Sequence, residues 1–179
     1  MADKLAQALH FIISYAEKNG LDLGAVKLTK SLVMSEAASL YLQGRTITDA
    51  KIVKAPQGPV PDGYKDALKR LEAEGKIKVT ESDRLYEPTV YNSRQEPDMS
   101  GFTDKDLKII SALAETCCND FTAKALSKGT HNRFWEMVDM GKEIPLAAYL
   151  EPEDYEGPPL SEAELAELDQ AAREAVLNV

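Results

Sequence analysis

Leu5, Ala8, Leu9, Ile12, Ile13 and Ala16 recur at i, i+3, i+4, i+7, i+8 and i+11. That spacing predicts an amphipathic helix, which Asn19-Gly20 ends. A second helix is predicted from about Ala25 to Leu42, closing at Gly44. Leu28, Leu32, Val33, Met34, Ala37, Ala38, Leu40 and Tyr41 make it apolar on more than one side, which marks it as the central core helix. The texture then changes. Ile47, Ile52 and Val53 suggest an extended segment, and Ala55-Pro56-Gln57-Gly58-Pro59-Val60-Pro61 reads as a rigid irregular loop.

A third helix is predicted to begin at Pro61 or Asp62, with Tyr64, Leu68 and Leu71 as its buried stripe and Gly75 as its stop. Lys76-Ile77-Lys78-Val79-Thr80 alternates like a half-buried strand. Ser82-Asp83 turns, and Leu85 to Tyr91 returns as an edge strand containing Pro88. Asn92 to Gly101 reads as a polar connector. Thr103 with Asp106 opens a helix that turns Leu107, Ile110, Leu113 and Ala114 inward. Thr122 caps a short helix ending at Gly129. Thr130 caps another, which carries Phe134, Trp135, Met137 and Val138 and is stopped by Gly141. After Gly157-Pro158-Pro159, Ser161 with Glu164 opens a last helix through about Val176. The fold class expected is mainly α (α+β): a compact helical domain with one small β-hairpin and a C-terminal helix.

Charge divides this plan in two. Residues 1–100 carry 14 basic and 14 acidic side chains, whereas 101–179 carry 7 and 16, so the whole excess of −9 lies in the second part. Glu151 to Glu174 is the densest acidic stretch, opposed only by Arg173. Such a stretch repels polyphosphate and attracts basic partners, or serves as a solvated tail. Its Leu160, Leu165, Leu168, Ala172 and Val176 also allow it to pack on the core. The division expected is 1–150 for the folded domain and 151–179 for an acidic linker and helix.

Composition removes several classes of function. The two cysteines, Cys117 and Cys118, are adjacent, where a mutual bridge would be strained, which suits a reducing cytoplasm. No basic region leads into an apolar run near Met1, and apolar runs are short, so neither a signal peptide nor a membrane span is expected. His10 and His131 are the only histidines and neither has metal-ligand spacing to cysteines or acids, so the expectation is no metal and no cofactor. Phosphate loops and nucleophile elbows are absent from the sequence.

A few residues remain as candidates. The Gly58-Pro59-Val60-Pro61 turn is either a pre-ordered binding edge or a bend into the next helix. His131 is an acid or base, or a helix-start histidine making structural hydrogen bonds, and no nucleophile accompanies it locally. Trp135 beside Phe134 is core or a partner contact. Residues 62–91 also look like the recognition helix and wing of a winged-helix regulator, with Lys65, Lys69, Arg70, Lys76, Lys78 and Arg84 facing phosphates. Asp66, Glu72, Glu74, Glu81 and Asp83 interleave with them and the pI is about 4.8, which disfavours nucleic acid as a partner.

Four segments taken in order resemble a known family: Lys27-Leu28-Thr29-Lys30-Ser31-Leu32, Gly58-Pro59-Val60-Pro61 with Tyr64-Lys65-Asp66-Ala67-Leu68, Leu126-Ser127-Lys128-Gly129-Thr130-His131, and Gly141-Lys142-Glu143-Ile144-Pro145-Leu146. They are similar to the Panacea domain, also called SocA-like, an antitoxin module of bacteria and phages, and they span about residues 4–150. The chain departs from the family pattern at Ser31-Leu32-Val33-Met34-Ser35-Glu36, which is less aromatic, and at Asn132-Arg133-Phe134-Trp135, where Pro-Trp is usual. The resemblance implies a cytoplasmic, non-enzymatic antitoxin that binds its cognate toxin directly, in some members while handing it to a protease or chaperone. The residues expected at the interface are Pro59, Val60, Tyr64, Lys65, Leu68, His131 and Trp135, joined by the acidic segment if the toxin is basic.

Overall fold

The computed structural model describes residues 3–81 and 89–149. Helix α1 (Lys4–Lys18) is capped by Asp3, whose carboxylate accepts the Ala6 amide at 3.1 Å and pairs with Arg70. Its predicted stripe is the heart of the core: Ala8, Leu9, Ile12 and Ile13 are sealed from solvent. Each such Leu or Ile contributes about 1.5–3 kcal/mol of burial. Helix α2 (Gly24–Gln43) ends at Gly44, which takes the left-handed φ of 72°. It packs antiparallel to α4 (Asp104–Asn119), whose predicted capping box is formed. Asp106 also receives Arg45 at 2.8 Å and Gln43 at 2.9 Å, tying the end of α2 to the start of α4. Burial alone would raise the Asp106 pKa; the Thr103 amide, Arg45, Gln43 and the Thr103 hydroxyl together hold it at about 2. Along α4 the buried face is Ile109, Ile110, Ala114, Cys117 and Cys118, with Leu107 and Leu113 only half-buried.

Two antiparallel ribbons are present where one hairpin was expected. The first joins β1 (Ile52–Ala55) to β2 (Gly58–Pro61), with Ile52 opposite Pro61 and Val53 opposite Val60. The expectation that residues 55–61 form no regular structure is therefore corrected. Pro59 and Pro61 alternate along β2, so both ring nitrogens face away from β1 and neither removes a ladder bond. The Asp62 amide continues the ladder to Lys51 O at 2.7 Å. The far edge of β1 is covered by residues 141–144 through Lys54 N to Lys142 O, Gly141 N to Lys54 O and Ile144 N to Ile52 O.

Helix α3 (Tyr64–Ala73) begins two or three residues later than expected, because Gly63 adopts φ 75° at its N-cap. Its Ala67, Leu68 and Leu71 enter the main core against α1. The second ribbon pairs β3 (Ile77–Thr80) with β4 (Val90–Ser93), Ile77 lying opposite Ser93. The returning strand thus reaches past Tyr91 into the expected connector. Asn92 and Ser93 can be strand residues because Glu17 of α1 accepts the Asn92 side chain at 3.1 Å and the Ser93 amide at 2.8 Å. The predicted Ser82-Asp83 turn and the Pro88 position lie outside the described residues, as does the predicted helix from Ser161. The rest of the connector folds back on α1, where Gln7 donates to Asp98 at 2.7 Å and Lys18 pairs with Glu96. Of the cations read as phosphate contacts, Arg70 is committed to Asp3 and Lys76 to Glu74.

Helix α5 (Ala123–Gly129) starts at Thr122 as expected. Thr130 does not cap α6 (Arg133–Met137): its hydroxyl turns back to Leu126 O at 2.9 Å, and Asn132 caps instead, accepting the Trp135 amide at 3.0 Å. A 3-10 turn, Leu146–Tyr149, closes the described chain.

Candidate partner-binding site

The inner edge of the β1–β2 ribbon rests on a buried lysine. Lys30 projects from the middle of α2, is fully sealed from solvent, and donates to Pro59 O at 2.5 Å. Gly58, at φ 95°, lies so close that a Cβ there would come within 2.6 Å of Thr130 Oγ1 and 2.9 Å of Lys30 Nζ. Sequence reasoning assigned Lys30 no role of its own. Its position among Leu28, Leu32 and Val33 on an almost wholly buried helix is the signal that could have singled it out, since a lysine there must find a polar partner inside the protein.

Burial lowers the Lys30 ammonium to about 8. The folded state therefore loses this proton near pH 8 while the unfolded chain keeps it to about 10.5. Stability from this group rises with pH across that window, by about 3 kcal/mol. Burial works the opposite way on the Cys117 and Cys118 thiols by pushing them up, so the lysine contribution is read as a difference between two proteins. We expect Lys30→Met, which removes the ammonium but keeps a chain of similar length, to gain stability relative to wild type at pH 7 and to lose that advantage by pH 10.5. Urea unfolding at pH 7, 8.5 and 10 measures the difference. A gap that stays constant with pH would mean Lys30 is charged throughout.

At the tip of the ribbon the Trp135 indole is held on three sides. Its Nε1 donates to Ala55 O at 3.3 Å, His131 stacks on it with ring centroids 3.7 Å apart, and the Lys54 ammonium sits 4.3 Å from the ring centroid. A cation against an indole contributes about 0.5–1 kcal/mol at partly exposed sites. Burial, then Lys30, then Lys54 lower the His131 pKa, and its Nε2 is buried with no hydrogen-bond partner among the described residues. The half-buried Trp135 thus braces the ribbon while presenting part of its surface.

Beside the ribbon, a cavity of about 670 Å³ opens between α2, β2 and the start of α3. Val60, Tyr64 and Lys65 line it, together with Lys30 and the Pro56-Gln57 turn. Burial raises the Tyr64 phenol above its ordinary value. The seven expected interface residues accordingly separate. Pro59 and Val60 are buried within the ribbon, His131 and Trp135 brace its tip, Tyr64 and the exposed Lys65 border the cavity, and Leu68 belongs to the main core. The structure brings six of them to one ribbon and its flanks and sends Leu68 inward. Gly58, part of the turn read as a candidate binding edge, completes this corner of the molecule with Lys30, Lys54 and Thr130, which were not singled out from sequence as interface residues.

Among the described residues, no three side chains of His, Cys, Asp or Glu are grouped as a metal site, and no helix is long and apolar enough to cross a membrane. The arrangement is a rigid, braced edge with a concave flank, which suits recognition of another surface.

No curated protein and no solved structure matches the chain. A family described as Antitoxin SocA-like, Panacea domain, matches residues 28–136, a span that runs from the core of α2 through the ribbon and α3 to the Trp135 brace. That match covers more than half of the 179 residues, and the chain belongs to the SocA-like, Panacea-domain antitoxin family.

Proposed function

We propose that this protein is the antitoxin of a toxin–antitoxin pair and neutralises its cognate toxin by direct, non-enzymatic protein contact, with residues 1–150 as the antitoxin domain. The family match over residues 28–136 carries this reading. The geometry supports a docking face made of the β1–β2 ribbon tip and the cavity beside it. Lys65 supplies exposed charge, Tyr64 and Trp135 supply aromatic area, and the Lys30 and Trp135 braces hold the edge before a partner arrives. A pre-ordered edge of this kind loses little conformational freedom on docking. Delivery of the bound toxin to a protease or chaperone is a further step open to such an adaptor, and the cytoplasm is where it would act.

Growth is the direct assay. The product of the neighbouring open reading frame is expressed alone and with this protein. The expected result is arrest alone and rescue together, with rescue falling at least tenfold in plating efficiency for the double variant Tyr64→Ala and Lys65→Glu at unchanged antitoxin level. Full rescue by that variant would move the interface elsewhere. A harmless neighbour would remove the antitoxin assignment for this pair.

A further inference from the structure

A second cavity, of about 710 Å³, lies on another part of the molecule, between α2, α4, α5, α6 and the closing 3-10 turn. Its walls are mainly apolar: Met34, Leu113, Phe121, Leu126 and Phe134, with Tyr149 at the end of the described chain. Phe121 is 46 % exposed at its mouth. Tyr149 adds a second observation. Its hydroxyl is buried without a hydrogen-bond partner among the described residues, and burial pushes the phenol well above its ordinary value. A largely apolar groove of this size is a surface that another segment can cover.

We propose that this groove is the intramolecular seat of residues 160–176 of the same chain. Four observations select that occupant. The groove contains the last described residue, so the acidic segment departs from its wall. The ten residues 150–159 can span at most about 33–36 Å, enough to double back yet short enough to hold the following segment at millimolar effective concentration. Leu165, Leu168, Ala172 and Val176 recur at i, i+3, i+7 and i+11, the spacing with which a helix presents anchors to a groove. Finally, charge matches. Residues 162–174 carry Glu162, Glu164, Glu167, Asp169 and Glu174 against Arg173. The α5 helix, whose Ala125 and Leu126 line the cavity, exposes Lys124 and Lys128 beside it. The inference needs no toxin and stands apart from the antitoxin reading.

The test uses the full chain with Phe121 replaced by a photo-crosslinking benzoylphenylalanine, irradiated alone and digested for peptide mapping. The expected product is an intramolecular crosslink to residues 160–176 whose yield is independent of protein concentration. It should fall at least tenfold when Leu165→Glu and Leu168→Glu are introduced, changes that leave every groove residue intact. The same double variant should increase fluorescence of a hydrophobic dye several-fold as the groove is uncovered. Crosslinks that grow with concentration would make a second copy the occupant. Crosslinks formed only with a co-expressed partner would make the groove a partner site. Either outcome, or no crosslink to 160–176, overturns the proposal.

Discussion

Replacing Glu36 by alanine is expected to cost about 3–5 kcal/mol of folding stability, a large part of the total for a domain of this size. Glu36 lies in α2 and is sealed from solvent. Its carboxylate accepts the Ile47 amide at 2.6 Å, the Thr48 amide at 3.0 Å and the Thr48 hydroxyl. Those three donors belong to the strandless segment after α2, which has no sheet ladder to satisfy them. The carboxylate therefore substitutes for a secondary-structure partner, and it fixes the path of the chain into β1. Alanine leaves the donors buried and opens a cavity beside them. Burial outweighs these hydrogen bonds and raises the Glu36 pKa above its ordinary value of 4.5. The folded state thus keeps its proton over a window in which the unfolded chain has lost it. This contribution to stability is fully present below the unfolded value and declines as pH rises through the folded one. Urea unfolding of Glu36→Ala and Glu36→Gln at pH 7 provides the check. Gln, which keeps one acceptor oxygen, should fall between wild type and Ala, and an Ala variant within 1 kcal/mol of wild type would show that water replaces the carboxylate without loss.

The second large effect is expected at Gly58. Gly58→Ala should cost about 2–4 kcal/mol, because it combines an unfavourable positive φ with overpacking. The added methyl would press on Thr130 Oγ1 and the Lys30 ammonium, both buried, and Lys30 Cε stands at 3.2 Å behind them. Thr130 is held by its bond to Leu126 O, and Lys30 by its bond to Pro59 O, so neither is a free side-chain end that can swing aside. Gly63 supplies the control. It also has a positive φ, 75°, but a Cβ there meets nothing within 4 Å. Gly63→Ala should therefore show the backbone cost alone, about 1 kcal/mol. The excess at Gly58 measures how tightly the ribbon is clamped between α2 and Thr130. Equal costs at the two glycines would mean that the ribbon yields, and the picture of a rigid docking edge would have to be abandoned.

How far such features can be read from sequence depends on what fixes them. The stripe from Leu5 to Ala16 and the Thr103–Asp106 and Thr122 caps are local, and α1, α4 and α5 appear where the spacing places them. The β2 strand is different. Gly58-Pro59-Val60-Pro61 has no strand-like composition, and it is a strand because β1 offers a ladder on the one edge where the prolines lose nothing. Asn92 and Ser93 likewise look like linker until Glu17 is found beside them. The apolar reading of α2 located the core helix but hid its three buried charges, of which Lys27 is met by Asp22 and by Cys118 O at the end of α4. Lys30 and Glu36 are satisfied by Pro59 and by Ile47 and Thr48, contacts that only the folded chain creates.

The candidate site shows the same division. The resemblance drew attention to the Gly58–Pro61 stretch, and six of the seven expected residues do gather around the ribbon, yet exposure could not be read from their spacing. Tyr64 and Leu68 are both on the predicted stripe of α3. In the fold Tyr64 is half-buried, packing against the main core on one side and bordering the cavity on the other, while Leu68, one turn later, is enclosed by that core. Trp135 was open to both readings, and its Nε1 bond to Ala55 with the His131 stack makes it a brace that remains half-exposed.

The most direct measurement of the central claim is binding between two purified proteins. This chain and the product of the neighbouring open reading frame are mixed and passed through a sizing column, with affinity measured by titration calorimetry. The account predicts a co-eluting complex with submicromolar Kd, weakened at least tenfold by the Tyr64→Ala and Lys65→Glu pair and formed without nucleotide, metal or turnover of either protein. Rescue of growth with no detectable complex, or toxin that is chemically altered by catalytic amounts of this protein, would contradict neutralisation by direct contact.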